Sequence, residues 1–246
     1  MPSRRLVATA ALALLAPALA VHDARPSARG AGLPRLVLWA WERPDDLRGL
    51  PRGVGVAFLA QTITIAAPSH LVSRRRQPLR VDEGTKMIAV TRIEAPGAVQ
   101  GVDVAAISHA IVDRARLPMV AGVQIDFDAR ASQRPMYRQL LHAVRAGLPP
   151  AMPLSMTALA SWCLDDNWLD ELPVDEAVPM LFRMGPAAAV LRAQWGIGTV
   201  APKCRTSRGV SLDEAAPRRG GSGRTYVFNP GPWNAAAIRA AVEEDR

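Results

Sequence analysis

The sequence predicts an α/β fold, namely one compact eight-stranded β/α barrel in which some connecting helices are short or missing. Three observations lead to this prediction. Apolar segments of strand length alternate with turns or helical segments across residues 35–246. These segments are apolar almost throughout, as is typical of parallel strands that are buried on both faces. Polar or aromatic residues follow nearly every segment, and active sites of β/α barrels lie at the carboxyl ends of the strands.

The first half of the chain contains four predicted strands. They cover residues 36–42, 53–59 with a continuation at 62–65, 87–94 and 120–129. A helix is predicted after the third strand, because apolar residues recur at three-to-four spacing across residues 104–115. Pro135 begins a second helix, since proline is favoured in the first helical turn. The segment 68–85 has no helical period, so we expect a hairpin excursion there.

The second half continues the alternation of strand and connection. Its predicted strands cover residues 153–159, 174–183, 197–204 and 225–229. Helices are expected over residues 187–195 and 233–244. The connections at 43–52, 165–173 and 211–217 leave room for a turn or two of helix at most. The sequence therefore predicts a trimmed (β/α)8 barrel of the TIM type over residues 35–246.

The central strand has one polar face. Side chains alternate along a strand, so Gln124, Asp126 and Asp128 lie on the face opposite to Val123 and its apolar neighbours. Placing an amide and two carboxylates in an interior is unfavourable by several kcal/mol unless they are hydrogen-bonded or used in chemistry. We therefore interpret this segment as an active-site strand. The alternative is that both aspartates only cap the next helix or pair with arginines.

Polar and aromatic residues at the other strand ends suggest carbohydrate chemistry. Parallel strands would bring all these residues to one mouth, where carboxylates transfer protons and indole rings stack on sugars. A simpler reading is that strand ends are polar because the strands end there. The residues concerned are Trp41, Glu42, Gln61, Arg92, Glu94, Asp126, Asp128, Thr157, Trp162, Arg183, Asp213, Glu214 and Asn229.

The central strand resembles the Gly-x-Asp-Ile-Asp-Trp-Glu strand of chitinase-like glycosidases. Gln124 stands at the first aspartate of that motif, Asp126 matches the second, and Asp128 replaces the catalytic glutamate. The segment 178–184 is similar to the Met-x-Tyr-Asp-Met strand of those enzymes, with Phe182-Arg183 in place of the Tyr-Asp pair. The departures from the motif fall on catalytic positions.

The chain resembles a bacterial family, domain of unknown function 3142, more closely. This resemblance implies a glycosidase-like barrel and supplies no activity. The segments that carry it are residues 39–44, 124–129, 154–163 and 209–214.

A glycosidase needs a proton donor with a raised pKa and a base or nucleophile on the other side of the glycosidic bond. We predict Asp128 as the acid, with Asp126 raising its pKa by charge coupling. Glu42 and Glu94 are the candidates for the second carboxylate. The separation of the carboxyl groups decides between retaining and inverting chemistry, and the sequence leaves this open. The predicted substrate-binding residues are Trp41, Arg92, Gln124, Trp162, Arg183 and Asn229.

Two of these residues, Arg92 and Arg183, have alternative roles. They can orient the acids or bind an anionic sugar. Structural ion pairing at the barrel mouth explains them equally well.

Cys163 and Cys204 are the two cysteines of the chain. A cysteine pair in an exported domain usually forms a disulfide, which is the prediction here. A catalytic thiol is the alternative.

The amino terminus has the pattern of a signal peptide. Arg4 and Arg5 precede an apolar run at residues 6–15, and a small-x-small cleavage site lies at residues 18–20. Residues 21–34 are rich in alanine, proline, glycine and arginine and are predicted to be a linker. We expect a periplasmic or secreted protein cleaved near Ala20. The export route stays open, and an uncleaved membrane anchor is the alternative.

Composition argues against several other functions. The net charge is +8 but aromatic residues make up only 5% of the chain, and residues 74–76 are the only compact basic run, so nucleic-acid binding is not expected. The four histidines are scattered and no Gly-rich Asp-x-Asp loop occurs, so neither a metal nor a cofactor is expected. A carbohydrate or other small envelope ligand is the predicted partner, and the oligomeric state stays open.

Three functional hypotheses remain after this reading. The first is an exported carbohydrate-active hydrolase. The second is a non-catalytic barrel that binds a saccharide or another envelope component after losing the catalytic glutamate. The third is a structural envelope protein.

Overall fold

Within the described residues, eight parallel strands close into a barrel. The computed structural model describes residues 28–164, 166–215 and 223–245. The strands are β1 Leu36–Ala40, β2 Asp45–Leu47, β3 Val54–Ala66, β4 Ser69–Arg74, β5 Leu79–Val81, β6 Met87–Glu94, β7 Val120–Asp126, β8 Leu154–Leu159, β9 Glu176–Met180, β10 Ser207–Ser211 and β11 Arg224–Phe228. The α-helices are α1 Val104–Val112, α2 Arg134–Gly147, α3 Ala160–Leu164, α4 Ala188–Ile197 and α5 Ala235–Glu244.

The barrel closes through β1. This strand pairs in parallel with β3 on one side and with β11 on the other. The order around the barrel is β1, β3, β6, β7, β8, β9, β10 and β11. The predicted fold class, a β/α barrel of the TIM type, is therefore confirmed.

Several connections lack a full helix, as predicted. β1 and β3 are joined through β2, which forms a separate parallel pair with β5. β4 pairs antiparallel with the end of β3, so the hairpin excursion predicted at residues 68–85 is confirmed. No helix in the described ranges has the length and apolarity needed to cross a membrane.

The seventh strand was predicted at the wrong position. Residues 197–204, predicted as a strand, contain the end of α4 and a 3-10 helix at Pro202–Cys204. The seventh barrel strand is instead β10, whose serines, arginine and glycine give no apolar signal. Gly209 is required there by packing, because a Cβ atom on it would lie 2.9 Å from the Trp39 ring.

The polar face of β7 points into the barrel. Val123, Ile125 and Phe127 belong to the large apolar cluster between the sheet and the helices, which includes the buried face of α2. Gln124 and Asp126 are buried on the opposite face of the strand. The alternation predicted from the sequence is therefore confirmed, and it directs Asp126 inward.

A buried ion pair lies at the amino-terminal ends of the strands. Arg224 begins β11 and donates a hydrogen bond to Glu176 at the start of β9; both side chains are buried. Arg224 also donates to the backbone oxygens of Gly30 and Pro34, both at 2.7 Å. The last residues of the segment predicted as a linker thus contact the floor of the barrel.

Candidate functional site

A cavity of about 440 Å³ opens at the carboxyl ends of the strands. It contains two carboxylates, two arginines and a wall of aromatic rings. A second cavity, of about 400 Å³, shares Arg92, Asp126 and Asp128 with the first. The first cavity is lined by Trp39, Trp41, Arg92, Asp126, Asp128, Thr157, Leu159, Ala160, Ser161, Met180, Phe182, Arg183, Met184, Ala187, Leu191 and Phe228.

Asp126 is the buried acid of the site. Thr157, on the neighbouring strand β8, donates its hydroxyl to Oδ1 at 2.8 Å, and Arg92 donates to Oδ2 at 3.3 Å. Burial raises the pKa of Asp126, and the hydrogen bond from Thr157 and the charge of Arg92 partly oppose that effect. Asp126 is thus held in one orientation by two neighbours while it faces the cavity.

Asp128 lies two residues further along and is exposed at the mouth. The surrounding protein atoms displace part of its hydration and raise its pKa, and the positive charge of Arg92 opposes this effect. No protein hydrogen bond to its carboxylate is seen among the described residues. The carboxyl group of Asp128 is therefore accessible to a molecule in either cavity.

Arg92 links Asp126 to Glu94. Its Nε donates to Glu94 Oε1 at 3.1 Å, while its Nη1 reaches Asp126. Glu94 is exposed and lines the second cavity, not the first. The structure therefore brings Asp126, Asp128, Arg92 and Glu94 together around the boundary between the two cavities.

Aromatic rings form one wall of the first cavity. Phe182 and Phe228 stack with their centroids 5.6 Å apart, and Trp41 meets Phe228 edge-on at 6.3 Å. Trp39 lies deeper, 6.2 Å from Phe182 between centroids. Such a wall suits the C–H faces of a sugar ring.

Arg183 enters the cavity from the segment after β9. Its guanidinium carbon lies 4.8 Å from the centroid of the Phe228 ring. Its backbone has φ of 51°, a left-handed conformation that is uncommon for residues other than glycine. The backbone N–H of Arg183 donates to both carboxylate oxygens of Glu214, at 3.1 Å each.

Four of the residues predicted to be catalytic or substrate-binding do not line either cavity. Glu42 is exposed, and its Oε1 accepts the backbone N–H groups of residues 76 and 77. Gln124 is buried beneath the site and accepts a hydrogen bond from Trp39 Nε1 at 2.8 Å. Trp162 packs edge-on against Trp168 on the helix side. Asn229 stabilises the following turn through the backbone of Gly231 and Pro232.

Trp39 and Phe228 were missed by the sequence reading. Both belong to the apolar cluster inside the barrel and also line the cavity. The signal for Trp39 was present, because it lies two residues before Trp41, and side chains two residues apart in an extended chain share one face. Trp41 is nearer to the strand end, where active-site residues of β/α barrels are expected.

Cys163 and Cys204 form the predicted disulfide, which closes a sequence separation of 41 residues. Both cysteines are buried in the apolar cluster between sheet and helices. No group of three or more histidine, cysteine, aspartate or glutamate side chains suited to a metal ion occurs within the described part of the chain.

Two comparisons with known proteins found a similarity. The model of the family described as "Domain of unknown function (DUF3142)" matches residues 83–181. The resemblance to this family is confirmed. The matched range contains β6 to β9, and with them Arg92, Asp126 and Asp128.

The second comparison concerns the fold. The crystal structure of "putative Chitinase A from Streptomyces coelicolor" superposes with a TM-score of 0.54 at 12% sequence identity, covering 85% of this chain and 96% of that one. At this identity the similarity shows a shared chitinase-like barrel fold. No curated protein matches the chain in sequence.

Proposed function

We propose that this protein is an exported carbohydrate-active enzyme that hydrolyses a glycosidic bond with Asp128 as the general acid. One observation carries this proposal. Two carboxylates of raised pKa, Asp126 and Asp128, leave the end of one barrel strand and face a single cavity with an aromatic wall. Paired acids beside an aromatic sugar platform are the groups that glycoside hydrolysis requires.

Asp128 suits the role of acid because of its position and its surroundings. It borders both cavities, so a saccharide that lies across them presents a glycosidic oxygen near its carboxyl group. A raised pKa keeps the proton on the carboxyl group up to a higher pH, as a general acid needs. The predicted charge coupling runs the other way: burial, not Asp126, raises the pKa of Asp128, whereas the charge of Asp128 adds to the raised pKa of Asp126.

The second group of the reaction has two candidates. Glu94 lines the second cavity next to Asp128 and is the better placed of the two glutamates named from the sequence. The other candidate is the substrate itself, because some glycosidases use an acetamido group of the sugar as the nucleophile. In that case Asp126, held by Thr157 and Arg92, stabilises the charge that develops on the sugar.

Export is part of the proposal. Residues 1–20, which have the pattern of a signal peptide, lie outside the described residues. The disulfide between Cys163 and Cys204 supports an oxidising compartment, because cytosolic proteins rarely keep such a bond. We therefore place the enzyme in the periplasm or outside the cell.

The test is hydrolysis by the purified protein of a panel of fluorogenic glycosides and reducing-end-labelled oligosaccharides. The variant Asp128→Asn should lower kcat by about 10²-fold or more, as expected for loss of a general acid. It should still bind the glycan. Glu83→Gln is the matched control, since Glu83 is an exposed carboxylate in the loop before β6, at the opposite end of that strand. Equal turnover by Asp128→Asn and the wild type would exclude the assigned role.

A saccharide-binding barrel without catalysis is the second candidate. It is favoured by the aspartate at the position where the chitinase-like motif has glutamate, since the side chain is one methylene shorter. Glycan binding by the wild type without turnover, combined with hydrolysis by Asp128→Glu, would establish this second function.

A further inference from the structure

Arg183 is a cation in the cavity that the protein itself leaves unpaired. In the described ranges, no carboxylate lies within 4.0 Å of its guanidinium. Glu214, in the segment after β10, accepts hydrogen bonds from the backbone N–H of Arg183 and from the side chain of Arg192. The guanidinium instead rests over the Phe228 ring.

The other arginine of the cavity is already neutralised. Arg92 donates hydrogen bonds to both Asp126 and Glu94. Arg183 is therefore the charge in the cavity that is available to a ligand, and its five donors match a planar or tetrahedral anion.

The backbone conformation of Arg183 is held by neighbouring residues. A left-handed conformation at a residue other than glycine is unfavourable, and such conformations cluster at ligand sites. Here Glu214 holds the conformation through the Arg183 N–H, and the Phe228 ring supports the side chain. An arginine whose backbone is already fixed loses less conformational entropy when its side chain binds an anion.

Arg183 and the two acids come from different strands of the barrel. Arg183 follows β9, whereas Asp126 and Asp128 belong to the end of β7, and β8 lies between these strands. Two strand spacings amount to roughly 10 Å along the barrel wall. The backbone of Arg183 is therefore offset from the two acids, and its guanidinium lies over Phe228 on the aromatic wall.

We infer that the glycan is acidic and that Arg183 binds the anionic group of a sugar seated on the aromatic wall. This inference rests on the proposed function, because it names the substrate class of the same cavity. The chemistry recognised is an anionic oxygen group, which a glycan carries either as a uronic acid carboxylate or as a sulfate ester.

The experiment measures dissociation constants by calorimetry on the full protein, in the wild type and in Asp128→Asn to prevent turnover. The carboxylate probes are oligogalacturonate and oligomannuronate, each compared with its methyl ester, which has the same skeleton without the charge. The sulfate probe is a sulfated galactan oligosaccharide, compared with its desulfated form. We expect at least one anionic probe to bind about 10-fold or more tightly than its neutral counterpart.

The variant Arg183→Asn removes the guanidinium and keeps a residue that tolerates the left-handed backbone. The preference for the anionic probe should disappear in it. Arg183→Lys should keep part of the preference, because lysine supplies the charge without the planar fork. Arg239→Gln, on the exposed face of α5, changes the net charge equally and should keep the full preference.

Two results would overturn the inference: no anionic probe binds more tightly than its neutral counterpart, or the preference survives in Arg183→Asn. Its failure is distinguishable from failure of the proposed function. Asp128-dependent hydrolysis of neutral glycans would keep the enzyme and reject the acidic substrate. Arg183-dependent binding without any turnover would keep the acidic ligand and reject the enzyme.

Discussion

The barrel holds a buried acid at each end, and the two acids have different surroundings. Asp126 at the mouth and Glu176 at the floor both have a raised pKa, with burial as the largest cause, and each pairs with an arginine. The side chain of Arg92 is 41% exposed, whereas that of Arg224 is only 5% exposed. Asp126 faces a cavity, and Glu176 lines none of the cavities described above. A perturbed carboxylate thus marks a functional site only where a ligand can reach it.

The largest expected effect is a loss of stability when the buried ion pair at the amino-terminal ends of the strands is broken. The variant Arg224→Met leaves Glu176 buried without its cation, and breaking a buried pair in this way lowers the free energy of unfolding by about 3–5 kcal/mol. Urea unfolding measures this change. A loss below about 1 kcal/mol would contradict the structural role of the pair.

The double variant Glu176→Met with Arg224→Met serves as the control for this experiment. Replacing both charges by apolar groups is often neutral or stabilising, so it should recover much of the lost stability. Glycan binding should be unchanged in the double variant, because neither residue lines the cavity.

The second effect concerns Asp126 at the mouth of the barrel, where a substitution should change kcat more than the free energy of unfolding. The variant Asp126→Asn keeps the shape but removes the charge that Thr157 and Arg92 hold in place. We expect kcat to fall by about 10- to 100-fold, equivalent to about 1.4–2.7 kcal/mol, while the free energy of unfolding changes by only about 1 kcal/mol. The same measurements on Glu176→Gln should give the opposite pattern, with unchanged kcat and lower stability.

The comparison also explains how far the sequence could predict the molecule. Strands of the barrel were predictable wherever both faces are apolar, and the alternation on β7 correctly directed Asp126 inward. The disulfide was predictable because the chain has one pair of cysteines. Strand β10 was not predictable, because packing and not hydrophobicity determines its residues. Gly209 leaves room for Trp39, and serine and glycine carry no strand signal.

Residues of the site were predictable where strand position alone decides their direction. Asp126, Asp128 and Arg92 belong to this class, since they lie on or next to strands. Glu42 follows β1 in a loop, and its direction is set by the backbone N–H groups of residues 76 and 77, which are distant in sequence. Similarly, Glu176 and Arg224 give no sequence signal for pairing, because 48 residues separate them.

A third, smaller effect is the dependence on pH. The raised pKa of Asp126 means that the folded chain retains a proton which the unfolded chain releases near the ordinary value of 3.8. Its contribution to stability is therefore complete below that pH and is lost as the pH rises toward the folded pKa. The difference in unfolding free energy, wild type minus Asp126→Asn, should decrease as the pH rises from about 4 to about 7.

The pKa of Asp128 is also raised, and this gives kcat a dependence on pH. Its raised pKa extends the pH range in which it is a proton donor, and kcat should fall on the alkaline side as the proton is lost. A rate that instead increases through this range would show that Asp128 acts as a base.

The smallest effect on stability is expected for the variant Glu94→Gln. Its kinetics distinguish the two candidates for the second group of the reaction, Glu94 and the substrate. Glu94 pairs with Arg92 at the surface, and an exposed pair contributes about 1 kcal/mol or less, so Glu94→Gln should unfold almost as the wild type does. If Glu94 is the second carboxylate of the reaction, its loss lowers kcat about 10²-fold or more. If the substrate supplies the nucleophile, kcat changes little, and only glycans with an acetamido group are hydrolysed. Kinetics of Glu94→Gln on matched sugars with and without that group therefore decide which partner Asp128 has.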